Sequence, residues 1–134
     1  MRRQGFTLLE VLIAVSLFAV GMMSIIQIFP LNRRLLRQSA NTSQAAFLAQ
    51  EEIEIIRDVD YDSLTTGTYE AAHAMGTAGD QLVIFSRSTA VSLIDSNRAA
   101  TNSDVGLKKI VVTVTWTERN VARTYSLATY AYNH

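Results

Sequence analysis

A long apolar run near the start of the chain constrains its fold more than any other feature. The run extends from Phe6 to Phe29, a stretch of 24 residues (29 − 6 + 1). At about 1.5 Å per helical residue it is roughly 36 Å long, which exceeds the hydrocarbon thickness of about 30 Å in a typical bilayer. We therefore predict a helix that can cross a membrane.

One acidic residue, Glu10, lies inside this run. Lipid tails offer a carboxylate no hydrogen bonds, so an acid within a spanning helix needs a partner and is a candidate functional residue. A local explanation competes with this one. Thr7 and Glu10 have the spacing of a capping box, in which each side chain accepts a hydrogen bond from the backbone amide of the other residue. The spacing alone does not decide between the two explanations.

The residues around Glu10 resemble the start of a known protein family. A short leader, Met1-Arg2-Arg3-Gln4, precedes the sequence Gly5-Phe6-Thr7-Leu8-Leu9-Glu10-Val11-Leu12-Ile13-Ala14. This stretch resembles the N-terminal signature of type IV prepilins and of the related pseudopilins of type II secretion. The resemblance covers the leader and the apolar run.

The resemblance implies how the chain is processed and assembled. In this family a prepilin peptidase cleaves after the glycine and methylates the new N-terminal amine, which implies cleavage between Gly5 and Phe6 and an N-methylated Phe6. The family's glutamate is taken to pair with the N-terminal amine of a neighbouring subunit, which implies an assembly salt bridge at Glu10. Because charges attract strongly in a low dielectric and an unpaired buried carboxylate is disfavoured, such a pair would fix the register between subunits.

The expected organisation has three parts. Residues 1–5 form a leader that is removed, residues 6–29 form the transmembrane and filament-core helix, and residues 30–134 form a periplasmic domain. The leader is placed in the cytoplasm because the resemblance implies a peptidase that acts there. Before assembly the chain is then a single-pass protein of the inner membrane, and after assembly it lies in a pilus or pseudopilus.

The basic residues near the span do not settle its orientation. Arg2 and Arg3 precede it, and a similar number of arginines follows it, so the positive-inside rule gives nearly a tie. The following arginines are Arg33, Arg34 and Arg37, which we expect to contact headgroups on the far side. A competing interpretation is a secretory signal with a loose cleavage site at Ala19-Val20-Gly21.

The charge balance and the lack of cysteine narrow the function classes. The chain has 12 basic and 12 acidic residues, and loss of Arg2 and Arg3 leaves 10 against 12, a net charge of −2. This balance argues against a general nucleic-acid-binding surface. With no cysteine there is neither a disulfide framework nor thiol chemistry. A chain of 134 residues with one span has room for one small soluble domain.

After the apolar run, the chain from Leu31 to about Arg57 is predicted to form an amphipathic helix. Pro30 removes a backbone donor and clashes with the preceding turn, so we expect it to kink the helix or to break it locally. The predicted stripe, at alternating steps of four and three, is Leu35, Ser39, Thr42, Ala46, Ala49, Ile53 and Ile56. The charged residues off the stripe are Arg37, Glu51, Glu52 and Glu54.

The chain from Asp58 to Asp80 is predicted to be a connection. Its start, Asp58-Val59-Asp60-Tyr61-Asp62-Ser63, looks like the opening of a calcium loop, but the template's glycine and glutamate positions hold Ser63 and Tyr69 here, which favours an acidic helix exit. Leu64–Asp80 is rich in Thr, Gly and Ala and is predicted to be a loop. His73 in this loop and His134 at the terminus have no second ligand nearby, so solvated side chains are expected.

The last third of the chain has the character of β-strands. Gln81–Ile94 has the composition of one or two strands, with Ser86-Arg87-Ser88 on the strand surface, and Asp95–Gly106 is predicted to be a polar loop. A C-terminal hairpin follows. Its first strand has period-two alternation that places Trp116 in the core, its turn is Glu118-Arg119-Asn120, and its second strand is Val121–Tyr132.

These elements predict an α+β fold. A sheet of three or four antiparallel strands with one apolar face needs a cover, and the helix stripe from Leu35 to Ile56 provides it. The expected molecule is a long N-terminal helix, with a transmembrane half and an amphipathic half kinked near Pro30, packed on a small antiparallel sheet. This is the pilin-like arrangement that the resemblance also implies.

The sequence offers no catalytic arrangement. We find no nucleophile with a base, no phosphate-binding glycine loop and no metal-ligand cluster at convincing spacing. No cofactor or metal is therefore predicted. The chain is predicted to be the substrate of a prepilin peptidase and N-methyltransferase rather than an enzyme.

The primary hypothesis is a minor pilin that acts in assembly or priming of a type IV pilus. Phe29-Pro30-Leu31, Ala45–Glu54 and Lys109–Trp116 are similar to minor pilins of the V type. The expected partners are other pilins or pseudopilins, the prepilin peptidase and inner-membrane lipid. The alternatives are an I-like pseudopilin of type II secretion, a single-pass membrane enzyme, and a tip-displayed adhesion or DNA-uptake module that uses the loops Thr65–Asp80 and Asp95–Gly106.

Overall fold

A computed structural model describes residues 7–133, and it describes the side chains of all of these except residues 27–31. The chain forms one long helix and one antiparallel sheet, which confirms the predicted α+β class. In chain order the elements are α1 (Leu8–Arg57), β1 (Gly67–Ala74), β2 (Phe85–Leu93), β3 (Leu107–Glu118) and β4 (Val121–Tyr132), with 3-10 turns at Tyr61–Ser63 and Gln81–Ile84. The chain divides into two compact units between Ala40 and Asn41.

The first unit contains the apolar part of α1. Leu8–Ile26 is long and apolar enough to cross a membrane, and all of its side chains are exposed in the single chain. Two hydroxyls in this segment are satisfied within the helix, because Ser16 Oγ donates to Leu12 O at 2.7 Å and Ser24 Oγ donates to Val20 O at 3.0 Å. Neither hydroxyl therefore needs water in an apolar surrounding.

Pro30 lies within the bounds of α1. The helix therefore continues through Pro30 and is not interrupted there, although a local break was one of the two expectations. The side chain of Pro30 lies outside the described residues, and the kink near it remains a prediction.

The sheet of the second unit has the strand order β1-β2-β3-β4, and all neighbours are antiparallel. The predicted C-terminal hairpin is confirmed, with Glu118 opposite Val121 at its tip. Arg119 and Asn120 form the two-residue loop with φ of 51° and 65°. A type I′ turn requires positive φ at both positions. This turn type suits a hairpin because its twist matches that of the strands.

One face of the sheet packs on the C-terminal part of α1. The helix contributes Ala45, Leu48, Ala49, Ile53 and Ile56 to this core, and the strands contribute Phe85, Val91, Ile110, Val112, Val114 and Trp116. Trp116 is 5% exposed, and its ring lies 5.8 Å from that of Phe85 between centroids. The prediction that Trp116 belongs to the core is confirmed.

The predicted helix stripe is only partly correct. Ala49, Ile53 and Ile56 are buried, whereas Leu35, Ser39 and Thr42 are exposed. The buried face also includes Glu52, which was expected off the stripe and is only 6% exposed. The expectation failed for Glu52 because it assumed that a carboxylate stays in water, while this one meets a buried arginine.

The segment predicted as a loop from Leu64 to Asp80 contains strand β1. The prediction was wrong because β1 has few large apolar residues. Most of its side chains are exposed, and hydrogen bonds to β2 rather than burial define it as a strand. His73 therefore lies on a strand, where its side chain is half exposed. His134 lies outside the described residues.

The regions on either side of β2 agree better with the sequence. Gln81–Ile94 holds one strand, β2, preceded by the 3-10 turn Gln81–Ile84, whose start is capped by the Asp80 side chain accepting from Leu82 N at 3.1 Å. Asp95–Gly106 has no strand of the sheet, as predicted. Asp95 Oδ1 organises this loop by accepting from Asn97 N and Ala99 N at 2.9 and 2.8 Å.

Arg87 is the largest departure from the sequence expectation. It was placed on the strand surface, but it is only 7% exposed and lies beneath α1. Its Nε and Nη2 donate to the two carboxylate oxygens of Glu70 at 3.2 and 3.0 Å, and Nη2 also lies 2.7 Å from Glu52 Oε2. Arg87 faces the helix because it alternates with Phe85 and Thr89 along β2.

This cluster joins three elements with charge-assisted bonds. Glu52 comes from α1, Glu70 from β1 and Arg87 from β2. Arg87 Nη1 also donates to the carbonyl of Leu48 at 3.4 Å, and Thr89 Oγ1 donates to Glu70 Oε2 at 3.0 Å. Since a buried arginine needs partners for its donors, the cluster fixes where the helix lies on the sheet.

The two carboxylates of the cluster have opposite pKa shifts. Burial raises the pKa of Glu52 above its ordinary value of 4.5, and the charge of Arg87 opposes this only in part. Burial also acts on Glu70, but hydrogen bonds from Arg87 and Thr89 outweigh it and lower the pKa of Glu70. The effect of burial on the pKa is thus outweighed for Glu70 by Arg87 and Thr89, but it is only partly offset for Glu52 by Arg87.

A second polar contact ties the loop before β3 to the exit of α1. Tyr61 OH donates to Asp104 Oδ1, which also accepts from Gly106 N at 2.8 Å. Lys108 Nζ donates to the carbonyl of Tyr61 at 2.8 Å and lies 4.0 Å from the centre of its ring. Burial and the bond to Asp104 raise the pKa of Tyr61 to about 12, so this tyrosine remains a donor at ordinary pH.

We predict that Arg87→Ala destabilises the domain by about 3–5 kcal/mol, because it leaves two carboxylates without their buried partner. The matched control is Arg123→Ala, which removes an exposed arginine from β4. The measurement is urea unfolding of the full chain in detergent, followed by the fluorescence of Trp116, the single tryptophan. Equal losses in the two variants would contradict a structural role for the cluster.

The opposite pKa shifts predict two separate pH windows for stability. Because the folded chain holds the Glu52 proton more tightly, the stabilising contribution of Glu52 is present below pH 4.5 and is lost as the pH rises through its raised pKa. The contribution of Glu70 is present above pH 4.5 and is lost as the pH falls through its lowered pKa.

Glu52→Gln should therefore flatten the decline in unfolding free energy above pH 4.5, and Glu70→Gln should flatten the loss below pH 4.5. Urea titrations of both variants across this range provide the measurement, and each variant is the control for the other. The assignment is wrong if both variants flatten the same window.

Candidate processing and assembly segment

The N-terminus of α1 carries the residue that the sequence analysis singled out. The helix begins at Leu8, and Thr7 caps it, since Thr7 Oγ1 accepts a hydrogen bond from Glu10 N at 3.3 Å. The threonine half of the predicted capping box is therefore present. An acidic residue in the first turn also interacts favourably with the partial positive charge of the helix N-terminus.

The carboxylate of Glu10 is exposed at the start of an apolar surface. It takes part in none of the ion pairs found among residues 7–133. Its neighbours along the helix, such as Leu9 and Ile13, are apolar and exposed. In the second unit Glu52 and Glu70 both pair with Arg87, whereas Glu10 has no ion-pair partner among residues 7–133.

Two site residues of the sequence analysis, Gly5 and Phe6, lie outside the described residues. The expected cleavage between them and the methylation of Phe6 therefore remain predictions. The salt bridge at Glu10 also remains a prediction, since it requires the amine of another subunit.

The segment could act chemically as a substrate and as a contact surface. A carboxylate within an apolar helix favours a cationic partner once water is excluded, because both charges lose their hydration. The exposed apolar side chains from Leu8 to Ile26 favour lipid or other apolar helices. The arrangement thus suits insertion in a bilayer and packing beside similar helices.

Other kinds of site receive no support in the described part of the chain. Residues 7–133 hold no group of three or more His, Cys, Asp or Glu side chains that could bind a metal ion. The acidic segment after α1 forms the helix exit and the turn Tyr61–Ser63. His73 Nδ1 lies 3.5 Å from Glu70 Oε1, at the edge of the ion cluster.

The ion cluster is the polar feature that sequence reasoning missed. A signal for it was present in β2, where Phe85, Arg87, Thr89 and Val91 share one face of the strand. An arginine between apolar residues at period two predicts either a register error or a buried charge with partners. The sequence did not identify those partners, because Glu70 lies on a strand that had been assigned to a loop.

Comparison with known proteins supports the N-terminal resemblance. Residues 1–26 match the family model described as the prokaryotic N-terminal methylation motif. No curated protein and no solved structure matches the chain. The motif implies processing by a prepilin peptidase and assembly with other pilins, and proteins that carry it are substrates of that processing. The motif in residues 1–26 and the helix-on-sheet fold support a type IV pilin-like or pseudopilin protein.

Proposed function

We propose that the chain is a minor pilin, a structural subunit that acts in the assembly or priming of a type IV pilus. The observation that carries this proposal is Glu10, an exposed carboxylate with no ion-pair partner among residues 7–133, at the start of a wholly exposed apolar helix. In a solitary membrane anchor such a carboxylate would have no partner. In a helix that packs beside another subunit, it can pair with a cation and fix the register between the two helices.

Processing would supply the partner charge. Cleavage after Gly5 makes Phe6 the first residue, and its N-methylated amine remains a cation. That cation lies at the edge of the apolar segment, where it can meet Glu10 of a neighbouring subunit. Since both charges would be shielded from water, the pair would be strong enough to select one register among many that apolar packing alone permits.

The location of the subunit would change during assembly. Before assembly, the helix Leu8–Ile26 anchors the chain in the inner membrane with the C-terminal domain in the periplasm. In the filament, the same apolar surface packs on other pilins. An I-like pseudopilin of type II secretion would use the same helix and fold, so the subunits that co-purify with assembled filaments distinguish the two systems.

We predict that the mature chain lacks residues 1–5 and carries one additional methyl group at Phe6. Mass spectrometry of the N-terminal peptide from native membranes provides the measurement. Gly5→Val should abolish both changes. Gly21→Val is the matched control, because an added Cβ at Gly21 meets no atom within 4 Å. Recovery of wild-type chains with an intact leader would contradict the proposed processing.

We also predict that Glu10→Ala and Glu10→Lys insert in the membrane normally but enter filaments about 100-fold less often, as the loss of a shielded ion pair implies. The readout is the ratio of subunit in sheared filaments to subunit in membranes. Glu54→Ala is the control, since it removes an exposed acid from the same helix outside the apolar segment. Normal incorporation of either Glu10 variant would reject this role.

A further inference from the structure

The face of the sheet that points away from α1 differs in charge from the rest of the second unit. On β2 and β4 this outer face consists of the even-numbered residues, and on β3 it consists of the odd-numbered residues. None of these positions holds an acidic residue. The acids of the unit lie on α1, in the connections or, like Glu70 and Glu118, on the face toward the helix.

Four side chains come together at the end of the outer face where β4 finishes. Lys109 of β3 lies opposite Tyr130 of β4, and Tyr132 follows two residues later on the same face. Arg98 reaches them from the loop between β2 and β3, with its guanidinium carbon 5.5 Å from the centre of the Tyr130 ring. The basic-aromatic patch consists of these four residues, which the fold collects from a loop and two strands.

The register of the hairpin brings the side chains of the patch close to one another. Asn133 N donates to Gly106 O at 3.0 Å, which continues the β3–β4 ladder. Because bonded and non-bonded pairs alternate in an antiparallel ladder, Lys109 and Tyr130 form a non-bonded pair, the kind whose side chains are closer. Tyr130 and Tyr132 are about 7 Å apart along the strand. The patch therefore offers two neighbouring rings beside two cations.

Both cations of the patch are available to a partner. Neither Arg98 nor Lys109 has an ion-pair partner among residues 7–133. Asp95 is the acid nearest to Arg98 along the chain, and its Oδ1 already accepts hydrogen bonds from two backbone amides of its own loop. Uncompensated positive charge on a face without acids favours an anionic partner.

The backbone of Arg98 adopts a conformation that is costly for an arginine. Its φ is 65°, in the left-handed region that non-glycine residues rarely adopt. The turn is closed by Arg98 N donating to Asp95 O and by Asp95 N donating to Ala99 O, both at 2.9 Å. A glycine would fit this backbone with less strain. An arginine at such a position indicates a use for its side chain.

We propose that the basic-aromatic patch binds single-stranded nucleic acid. One base stacks on the ring of Tyr132, and a neighbouring base stacks on the Arg98 guanidinium where it lies over Tyr130. Lys109 and Arg98 neutralise the adjoining phosphates. Tyr132 is 61% exposed and has no ring or cation contact among the described residues, so its ring is open to a base. Aromatic and guanidinium planes on an exposed sheet face are platforms for unstacked bases.

The chemistry of the patch favours this partner over other polyanions. An anionic polysaccharide meets the two cations but has no base to stack on Tyr132, and a duplex keeps the faces of its bases inside the helix. The neutral charge balance of the whole chain does not oppose the proposal, because the acids lie away from this face. The proposal goes beyond the role as a minor pilin and does not rest on it.

The first test measures the salt dependence of binding. The full chain in a non-ionic detergent is titrated into a fluorescent oligothymidylate of about 12 nucleotides, and anisotropy is followed at several salt concentrations. Two neutralised phosphates predict a slope of about −1.4 in log affinity against log salt. Lys109→Gln should reduce its magnitude by about 0.7. Arg123→Gln is the matched control, because it removes an exposed arginine from β4 outside the patch, and it should leave the slope unchanged.

The second test measures stacking. Tyr132→Leu should weaken binding about tenfold without changing the salt slope, because it removes a ring and no charge. Tyr132→Phe is the matched control, since it keeps the ring, and it should bind as the wild type does. An abasic strand of the same length should bind the wild type at least about tenfold more weakly than the oligothymidylate. The emission of Trp116 should be the same in every variant, as expected for an intact core.

The proposal is overturned if the wild type does not bind the oligothymidylate, if the two glutamine variants give the same slope, or if the two Tyr132 variants bind equally. Equal affinity for the abasic strand, for a duplex or for dextran sulfate means attraction by charge alone, and this result also rejects the proposal. Leader cleavage and incorporation into filaments are measured separately, so the role as a minor pilin can fail or succeed independently of these outcomes.

Discussion

The constraint on which this molecule depends is that an exposed apolar helix must find partners outside the chain. From Leu8 to Ile26 the helix has no cover from its own fold, and the hydroxyls of Ser16 and Ser24 are satisfied by the helix backbone. The segment is therefore compatible with lipid or with similar helices but not with water. Glu10 is the exception in this surface, because a carboxylate within an apolar surface needs a partner once water is excluded.

In the domain, the constraint is different, because the C-terminal part of the helix has to be held in one position on the sheet. Apolar contacts such as those of Ile56 and Val112 tolerate sliding, because one aliphatic surface packs nearly as well as another. The Arg87 cluster does not, since its distances of 2.7 to 3.2 Å to Glu52 and Glu70 exist in one arrangement only. The cluster thus supplies a geometric constraint that the apolar core lacks.

Much of the fold could be predicted from the sequence because its signals are local. The hairpin of β3 and β4 follows from period-two alternation and from Asn120 in the turn, and the apolar helix follows from its length. Strand β1 could not be predicted in this way, because it is an exposed edge whose definition comes from pairing with β2. The predicted exposure of Glu52 and Arg87 was wrong for a related reason. A buried charge is unexpected in either element alone, and only the contact between the two side chains explains both.

For the candidate site, by contrast, most of the information comes from the sequence and little comes from the fold. Residues 1–26 carry a motif that is read from sequence alone, and the fold adds to it only the cap from Thr7 and the exposure of Glu10. What the fold adds independently is the position of β4 as an edge strand of the sheet, which no sequence motif marks.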